Sequence, residues 1–393
     1  MSWPFVAFVD VCNIQGGTQP PKSTFVDQQQ DGYVRLLQIQ DFKRSDKAVY
    51  VPDKKNLKKC NSDDILIGRY GASVGKILTG LAGAYNVAMV KVIADQNKID
   101  VKYLYYYLIS PFFQTYILNV GSRAAQAGFN KDDLSGLQIP LPPLAEQKRI
   151  AAILDKADAI RRKRQQAIQL ADQFLHSVFL DMFGDPVTNP KGWEVKPLLN
   201  GIESIISGWS AKGESYPSKI GELGVLKISA VTSGKFKPEE NKFVHNTDIP
   251  EGKRLVFPKK GDLLFSRANT RELVAATCIV PSDESRGFLP DKLWKVTTKP
   301  KEVLPEFLHY LIWQPRFKEI LTSQATGTSG SMLNISKAKF INTEAIFPPT
   351  VLQERFKSIY WKTQEILDHL DNSFVICSDA FHALCQKTFS GQL

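Results

Sequence analysis

The chain carries the same long stretch twice, and that repeat restricts its architecture more than any other feature. Pro142-Pro143, followed by Gln147 and Arg149, recurs as Pro348-Pro349, followed by Gln353 and Arg355, at an offset of 206 residues. Phe183 and Phe389 stand at the same offset, so the segments after the prolines are equally long. Upstream, Tyr103-Leu104-Tyr105-Tyr106 with Pro111 and Phe113 matches Phe307-Leu308-His309-Tyr310 with Pro315 and Phe317 at 204. Asp64-Ile65-Leu66-Ile67-Gly68-Arg69 matches Asp262-Leu263-Leu264-Phe265-Ser266-Arg267 at 198. Leu37-Gln38-Ile39 resembles Leu226-Lys227-Ile228 at 189, and Gly16-Gly17-Thr18 resembles Ser207-Gly208-Trp209 at about 191. The offset drifts through each globular part and is constant after the prolines. Surface loops absorb insertions at small entropic cost, whereas one residue added to a packed helix rotates everything beyond it by about 100°. The order is therefore module, helix, module, helix.

Each module reads as mixed α/β. Apolar, β-branched runs such as Ile65-Leu66-Ile67, Val87–Ile93, Leu263-Leu264-Phe265 and Leu293–Val296 predict strands. The stretches 103–116 and 307–321 predict buried helices broken by proline. Tyr105, Tyr106 and Tyr107 could form a base-stacking platform, but an apolar helical run favours core packing. After Pro142-Pro143, Ile150, Ile153, Ala157, Ile160, Ala167, Ala171, Phe174 and Val178 follow steps of three and four, a coiled-coil pattern. Adding 206 gives Phe356, Ile359, Thr363, Ile366, Leu370, Ser373, Cys377, Ala380 and Leu384. Gly184, Asp185 and Pro186 predict the end of the first helix. A helix of ~40 residues spans ~60 Å. The fold class is α+β, with two similar mixed α/β domains separated by two long helices packed as an antiparallel coiled coil with an internal pseudo-twofold. The expected boundaries are 1–143, 144–185, 186–349 and 350–393.

The net charge of +10 is unevenly placed: residues 1–143 hold +4 and 186–349 hold +6, while the helical segments are nearly neutral. Two basic modules suit a polyanion, since phosphate neutralisation dominates nucleic-acid affinity. Arg161-Arg162-Lys163-Arg164 reads either as a solvated helix face or as a contact for phosphate or an acidic partner. Five cysteines without CxxC spacing fit reduced thiols, and neither a membrane span nor a signal peptide opening at Met1-Ser2-Trp3-Pro4-Phe5 is predicted. The expected setting is cytoplasmic.

Catalytic motifs are missing. Gly71-Ala72-Ser73-Val74-Gly75-Lys76-Ile77 is one residue short of a phosphate loop and has Ile77 where Ser or Thr should hold magnesium. His176, His245, His309, His369 and His382 are scattered, and no nucleophile elbow or methyltransferase tetrapeptide occurs. No catalytic, cofactor-binding or metal-binding residue is assigned, and the chain is expected not to be an enzyme. The enzyme-class alternative, a stand-alone nuclease or methyltransferase, lacks its cofactor motif.

Leu141-Pro142-Pro143-Leu144-Ala145-Glu146-Gln147-Lys148 and the following Arg149–Asp158, with Phe183-Gly184-Asp185-Pro186, closely resemble the helical region of type I restriction-modification specificity subunits. The resemblance extends over essentially the whole chain and repeats in both halves, although Thr350-Val351-Leu352 replaces Leu144-Ala145-Glu146 in the second. It implies that each module is a target-recognition domain reading one half of a bipartite, asymmetric site in double-stranded DNA. It implies further that the helices act as a ruler and as the docking surface for two modification (methyltransferase) subunits, which restriction subunits would join. S-adenosylmethionine and ATP are expected on those partners and on none of this chain's residues. The rivals are the specificity subunit of a combined type II restriction-methylation enzyme and a protein-only coiled-coil scaffold.

Candidate DNA contacts are polar and basic residues on turn-like segments. They are Arg69, Tyr70, Ser73 and Lys76 in the first module and Arg267, Asn269, Thr270 and Arg271 at the matching place in the second. Thr18, Gln19, Lys22, Gln38 and Gln40 join the first set, and Trp209, Lys212, Lys227 and Lys235 the second. The helix positions assigned to spacing and partners are Ile150, Ile153, Ala157, Ile160, Phe356, Ile359, Ile366 and Leu370.

Overall fold

A computed structural model describes residues 3–43, 47–121, 128–327 and 332–391. Met1 and Ser2, which open the N-terminal stretch considered above, lie outside the described residues. The chain divides into two compact units, one of Met1–Ala167 with Leu370–Leu393 and one of Ile168–His369. The units do not follow four consecutive segments: each combines one module with a part of both long helices.

The first unit holds an antiparallel sheet ordered Cys12–Gly16, Met89–Ala94, Ile65–Gly68, Ile77–Leu78. A second sheet runs Val49–Pro52, Tyr33–Leu37, Gly83–Tyr85, Lys59–Cys60, with its middle pair parallel. The second unit repeats the plan. Ile202–Ser207, Leu293–Thr298, Leu263–Ser266 and Thr277–Ile279 form one sheet, and Asn241–Phe243, Gly224–Leu226 and Gly287–Phe288 the other, again with one parallel pair. Helices Val101–Ile109 and Pro111–Gly121 in the first unit correspond to Pro305–Trp313 and Pro315–Ser323 in the second. Each pair is interrupted just before a proline, which cannot donate the next helical hydrogen bond. Tyr103, Tyr106 and Tyr107 are buried in the core, which excludes them from a stacking platform.

The long helices span Leu144–Phe183 and Thr350–Phe389. The first ends at Gly184, whose φ of +77° closes the last turn, and the Asp185 carboxylate accepts from the Val187 and Thr188 N–H groups. Both starts are fixed by a buried glutamine. Gln147 Oε1 accepts from the Asp100 N–H (2.8 Å), and its Nε2 donates to the Lys98 (3.0 Å) and Pro142 (2.8 Å) carbonyls. Gln353 repeats this with the Leu304 N–H (2.8 Å) and the Glu302 (3.0 Å) and Pro348 (2.8 Å) carbonyls. Replacing Leu144-Ala145-Glu146 by Thr350-Val351-Leu352 leaves the start unchanged because the glutamine carries it.

The buried stripe differs from the expected seam. Ile150, Leu154 and Asp158 are buried in the first unit, and Phe356, Tyr360, Thr363 and Leu367 in the second. Ile160 (51% exposed), Phe174 (55%) and Ile366 (55%) face outward, while Ile153, Ala157, Ile359 and Leu370 are half-buried. A two-helix seam needs a narrow stripe, whereas these helices also pack on a module, which widens and shifts the apolar face. In the first unit, Phe389 lies edge-on to Tyr103 (5.4 Å) and Tyr107 (5.5 Å), and Phe381 to Tyr106 (6.0 Å). In the second, Phe179 and Phe183 meet Phe307 (5.7 and 4.9 Å) and Phe356 (5.4 and 5.6 Å). Each module core is thus completed by the far end of a helix from the other repeat.

Gln147→Met keeps the volume and leaves buried backbone groups without their partners. Urea denaturation of the full chain should show a loss of about 3 kcal/mol. Gln353→Met should cost a similar amount, because its three bonds have the same geometry.

Candidate nucleic-acid interface

In both modules a glycine lets one loop cross another at contact distance. A Cβ on Gly17 would lie 2.1 Å from the Asn86 carbonyl oxygen, and one on Gly208 would lie 1.8 Å from that of Leu289. The crossings are tied by the Thr18 N–H on the Tyr85 carbonyl (3.0 Å) and the Trp209 N–H on the Leu289 carbonyl (2.9 Å). The weak similarity of these segments in the sequence therefore marks one steric requirement met twice.

After its crossing, the first module gathers several of the expected residues. Gln19, Lys22 and Gln38 line one groove with Pro20, Phe25 and Asn86. Gln40 is exposed on the turn Ile39–Phe42, which is held by the Gln38 N–H donating to the buried Asp41 carboxylate (2.6 Å). The Thr18 hydroxyl donates to the Asn56 carbonyl and accepts from the Lys58 N–H, both at 3.3 Å. This brings the exposed Lys54, Lys55 and Lys58 beside the groove's first loop. Sequence reasoning did not select them; the run Lys54-Lys55-Asn56-Leu57-Lys58-Lys59 was the available signal.

Arg69, Tyr70, Ser73 and Lys76 occupy the connection between Ile65–Gly68 and Ile77–Leu78, which closes an antiparallel hairpin. A phosphate loop instead leads from a strand into a helix. Arg69 is braced: its Nε donates to the Phe129 carbonyl (2.9 Å) and its guanidinium lies 5.0 Å from the Tyr70 ring centroid. Tyr70 and Lys76 are exposed, and Ser73 sits half-buried in the turn Gly71–Ser73.

The matching hairpin of the second module carries Arg267, Asn269, Thr270 and Arg271. Arg267 Nε donates to the Asp291 carbonyl (3.0 Å) and its Nη2 lies 3.5 Å from the Asp291 carboxylate, which also accepts from the Ser210 hydroxyl. Asp291 thereby joins this hairpin to the segment that carries Trp209. Trp209 stacks on Phe288 (6.1 Å, 11°), with the Lys253 ammonium 5.5 Å from its ring. The Asn269 side chain accepts from the Thr270 N–H (2.8 Å), and Arg271 and Lys212 are exposed. Two expected residues are engaged elsewhere. Lys227 lies 3.6 Å from Glu240, whose carboxyl is held below its usual range by the Ser229 hydroxyl and then by Lys227. Lys235 lies 3.5 Å from Asp368 on the second long helix.

The basic run on the first helix is divided. Arg161 and Arg162 both reach the buried Asp158, at 2.6 and 3.0 Å, so half of it belongs to an internal ion cluster. All five cysteines are unpaired, and burial pushes the Cys12 thiol up to about 12. Among the described residues no helix is long and apolar enough to cross a membrane.

Residues 2–170 match the family model of the type I restriction modification DNA specificity domain. The specificity subunit of the type I restriction enzyme MjaVIII from Methanocaldococcus jannaschii is 26% identical over 346 residues, covering 83% of this chain and 78% of its own. That of EcoKI from Escherichia coli is 22% identical over 422 residues, covering 100% and 89%. The crystal structure of a type I restriction-modification S subunit from M. genitalium shares the fold, with a TM-score of 0.59 at 16% identity over 99% of this chain and 96% of that one.

Gly208→Ala forces a methyl into the Leu289 carbonyl and should destabilise the second unit by about 2 kcal/mol or more. Hydrogen exchange should find the loss concentrated in residues 202–211 and 287–294. Equal loosening of both units would contradict a local steric role.

Proposed function

We propose, from the premise that the chain belongs to the type I restriction-modification specificity subunits, that its two modules read the two halves of a bipartite, asymmetric DNA target. The observation that supports this best is the doubled plan: two modules of the same topology, each with a matching glycine crossing and hairpin, but with different residues at the hairpin tips. Gln19, Lys22, Gln38, Tyr70 and Lys76 offer hydrogen-bonding and phosphate-binding groups in the first module, and Trp209, Lys212, Asn269 and Arg271 do so in the second. Arg69 and Arg267 shape the tips through their bracing bonds. Different tips imply different half-sites, so the target is not a palindrome.

The long helices set the gap between half-sites and dock two modification subunits, with restriction subunits joining the assembly. S-adenosylmethionine and ATP belong to those subunits, this chain contributes recognition without catalysis, and the complex works in the cytoplasm. Ile160, Leu170, Ile366 and Ile376 are exposed apolar side chains spaced 206 residues apart in pairs, and this supports a docking role for the helices.

Mapping adenine methylation in a host that carries the chain with its modification subunit should give one motif with two unlike halves and a fixed gap. A continuous motif would overturn the bipartite reading. The ruler is tested by adding one heptad to both helices, after Ala167 and after His369, where the compact units divide. The gap should lengthen and both half-sites stay the same. An insertion at Ala157 instead would displace Asp158 and Arg161 from their contacts. Arg271→Ala should relax base preference in one half-site only, by about 1–3 kcal/mol.

A further inference from the structure

Within the second unit a cavity of about 320 Å³ opens between the later part of the first long helix, the helix Pro305–Trp313 and the early part of the second long helix. Its walls include the rings of Tyr310, Trp313 and Tyr360, and Asp172 and Gln364 supply polar groups. The His309 ring, only 5% exposed, also lines it. His309 Nδ1 lies 2.9 Å from the Thr277 hydroxyl, which fixes the ring in the cavity wall.

The first unit has the corresponding place filled. Through the repeat, Leu367 corresponds to Arg161, Gln364 to Asp158 and Leu175 to Phe381. There the Arg161 guanidinium lies 5.2 Å from the Phe381 ring centroid and donates twice to the buried Asp158 carboxylate (2.6 and 3.0 Å). The second unit lacks that arginine and has aromatic and acidic surroundings. Burial, and then the nearby Asp172 carboxylate, raises the Tyr310 hydroxyl above its usual range. Glu306 is buried with one carboxylate oxygen unpaired, and its charge, like that of Asp368, acts on Tyr360. Burial drives the His309 pKa down to about 3, so the ring is neutral and does not repel a cation. Lys235, at the rim, is countered by Asp368 at 3.5 Å.

We infer that this cavity is a socket for the guanidinium of an arginine side chain presented by a modification subunit, the counterpart of a place that Arg161 closes from within in the first unit. Guanidinium suits it better than ammonium, because a flat, weakly hydrated cation stacks between rings while its edge donates to the Asp172 and Gln364 side chains. Arginines buried in aromatic pockets are frequent anchors of protein–protein interfaces. The inference rests on the proposed function only in taking the chain to work beside a modification subunit.

The probe is N-acetyl-arginine methylamide, observed by saturation-transfer NMR against the full-length chain, with the lysine compound as control. Saturable binding is expected for arginine and about tenfold weaker binding for lysine. Leu367→Arg, which refills the cavity as Arg161 does, should abolish binding while circular dichroism stays native, and Asp172→Asn should weaken it. Absence of arginine binding, equal binding of both compounds, or binding that persists in a folded Leu367→Arg variant would overturn the socket. Leu367→Arg should also weaken co-purification with the modification subunit, and unchanged co-purification overturns the assignment of partner. A missing bipartite methylation motif with the socket results intact would sink the DNA-reading proposal alone.

Discussion

The junction between each module and the long helix that leaves it is held through one side chain per half, the buried glutamine at the helix start. A helix start leaves backbone N–H groups without helical partners, and a proline pair before it supplies carbonyls that must also be satisfied. Gln147 and Gln353 meet the second need by donating to the first proline of the pair, and each also accepts from the N–H that caps an earlier helix of its module, Asp100 before Val101–Ile109 and Leu304 before Pro305–Trp313. Only a primary amide carries two donors and an acceptor on a stem of this length. A glutamate could not donate, and an asparagine is one methylene shorter. The module and the helix that leaves it are therefore one rigid piece at that point, a requirement for any protein that sets the position of a reading surface by means of a rod.

Much of this was legible because the chain states it twice. The repeat located the starts and ends of the long helices, the break before Pro111 and Pro315 and the strand segments Ile65–Gly68 and Leu263–Ser266, and it aligned Gly17 with Gly208 without disclosing that a loop crosses there. Duplication separates what packing demands from what drift allows. The stripe of the long helices was not legible in the same way. Counting from Ile150 in coiled-coil steps led to Ile153, Ala157 and Ile160, whereas the buried line runs through Leu154 and Asp158. Asp158 could not be placed from sequence, since a buried carboxylate looks like a surface residue until its two arginines are seen around it. The basic run had the same ambiguity and was resolved by the same cluster.

The candidate contact residues were the least legible part. Gln19, Lys22 and Gln38 come from two loops about twenty residues apart, and the groove they share exists only once Tyr33–Leu37 pairs with Gly83–Tyr85. Arg69 and Arg267 had the right chemistry, but the fold uses each Nε as a brace, to Phe129 in one module and to Asp291 in the other. Lys227 and Lys235 are drawn into ion pairs by acidic residues distant in sequence. Composition and spacing indicate that a basic surface exists; only the tertiary fold decides which cations remain directed outward.

The division of labour between loops and helices has a physical cause beyond economy of sequence. Each module core is closed by aromatic residues from the far end of a helix, Phe381 and Phe389 in one unit and Phe179 and Phe183 in the other. A helix that must reach a module at both ends cannot change length alone without losing one set of contacts, and this is why the 206-residue offset stays constant along it while the loops drift. That constraint fixes length and leaves side-chain chemistry open where a helix lines a cavity instead of a module core. There the two copies differ: Arg161 against Leu367, Asp158 against Gln364, and Ser378 against Asp172. Packing at the two ends therefore holds the register of the helices, while the side chains between them are free to follow the neighbours that each copy meets.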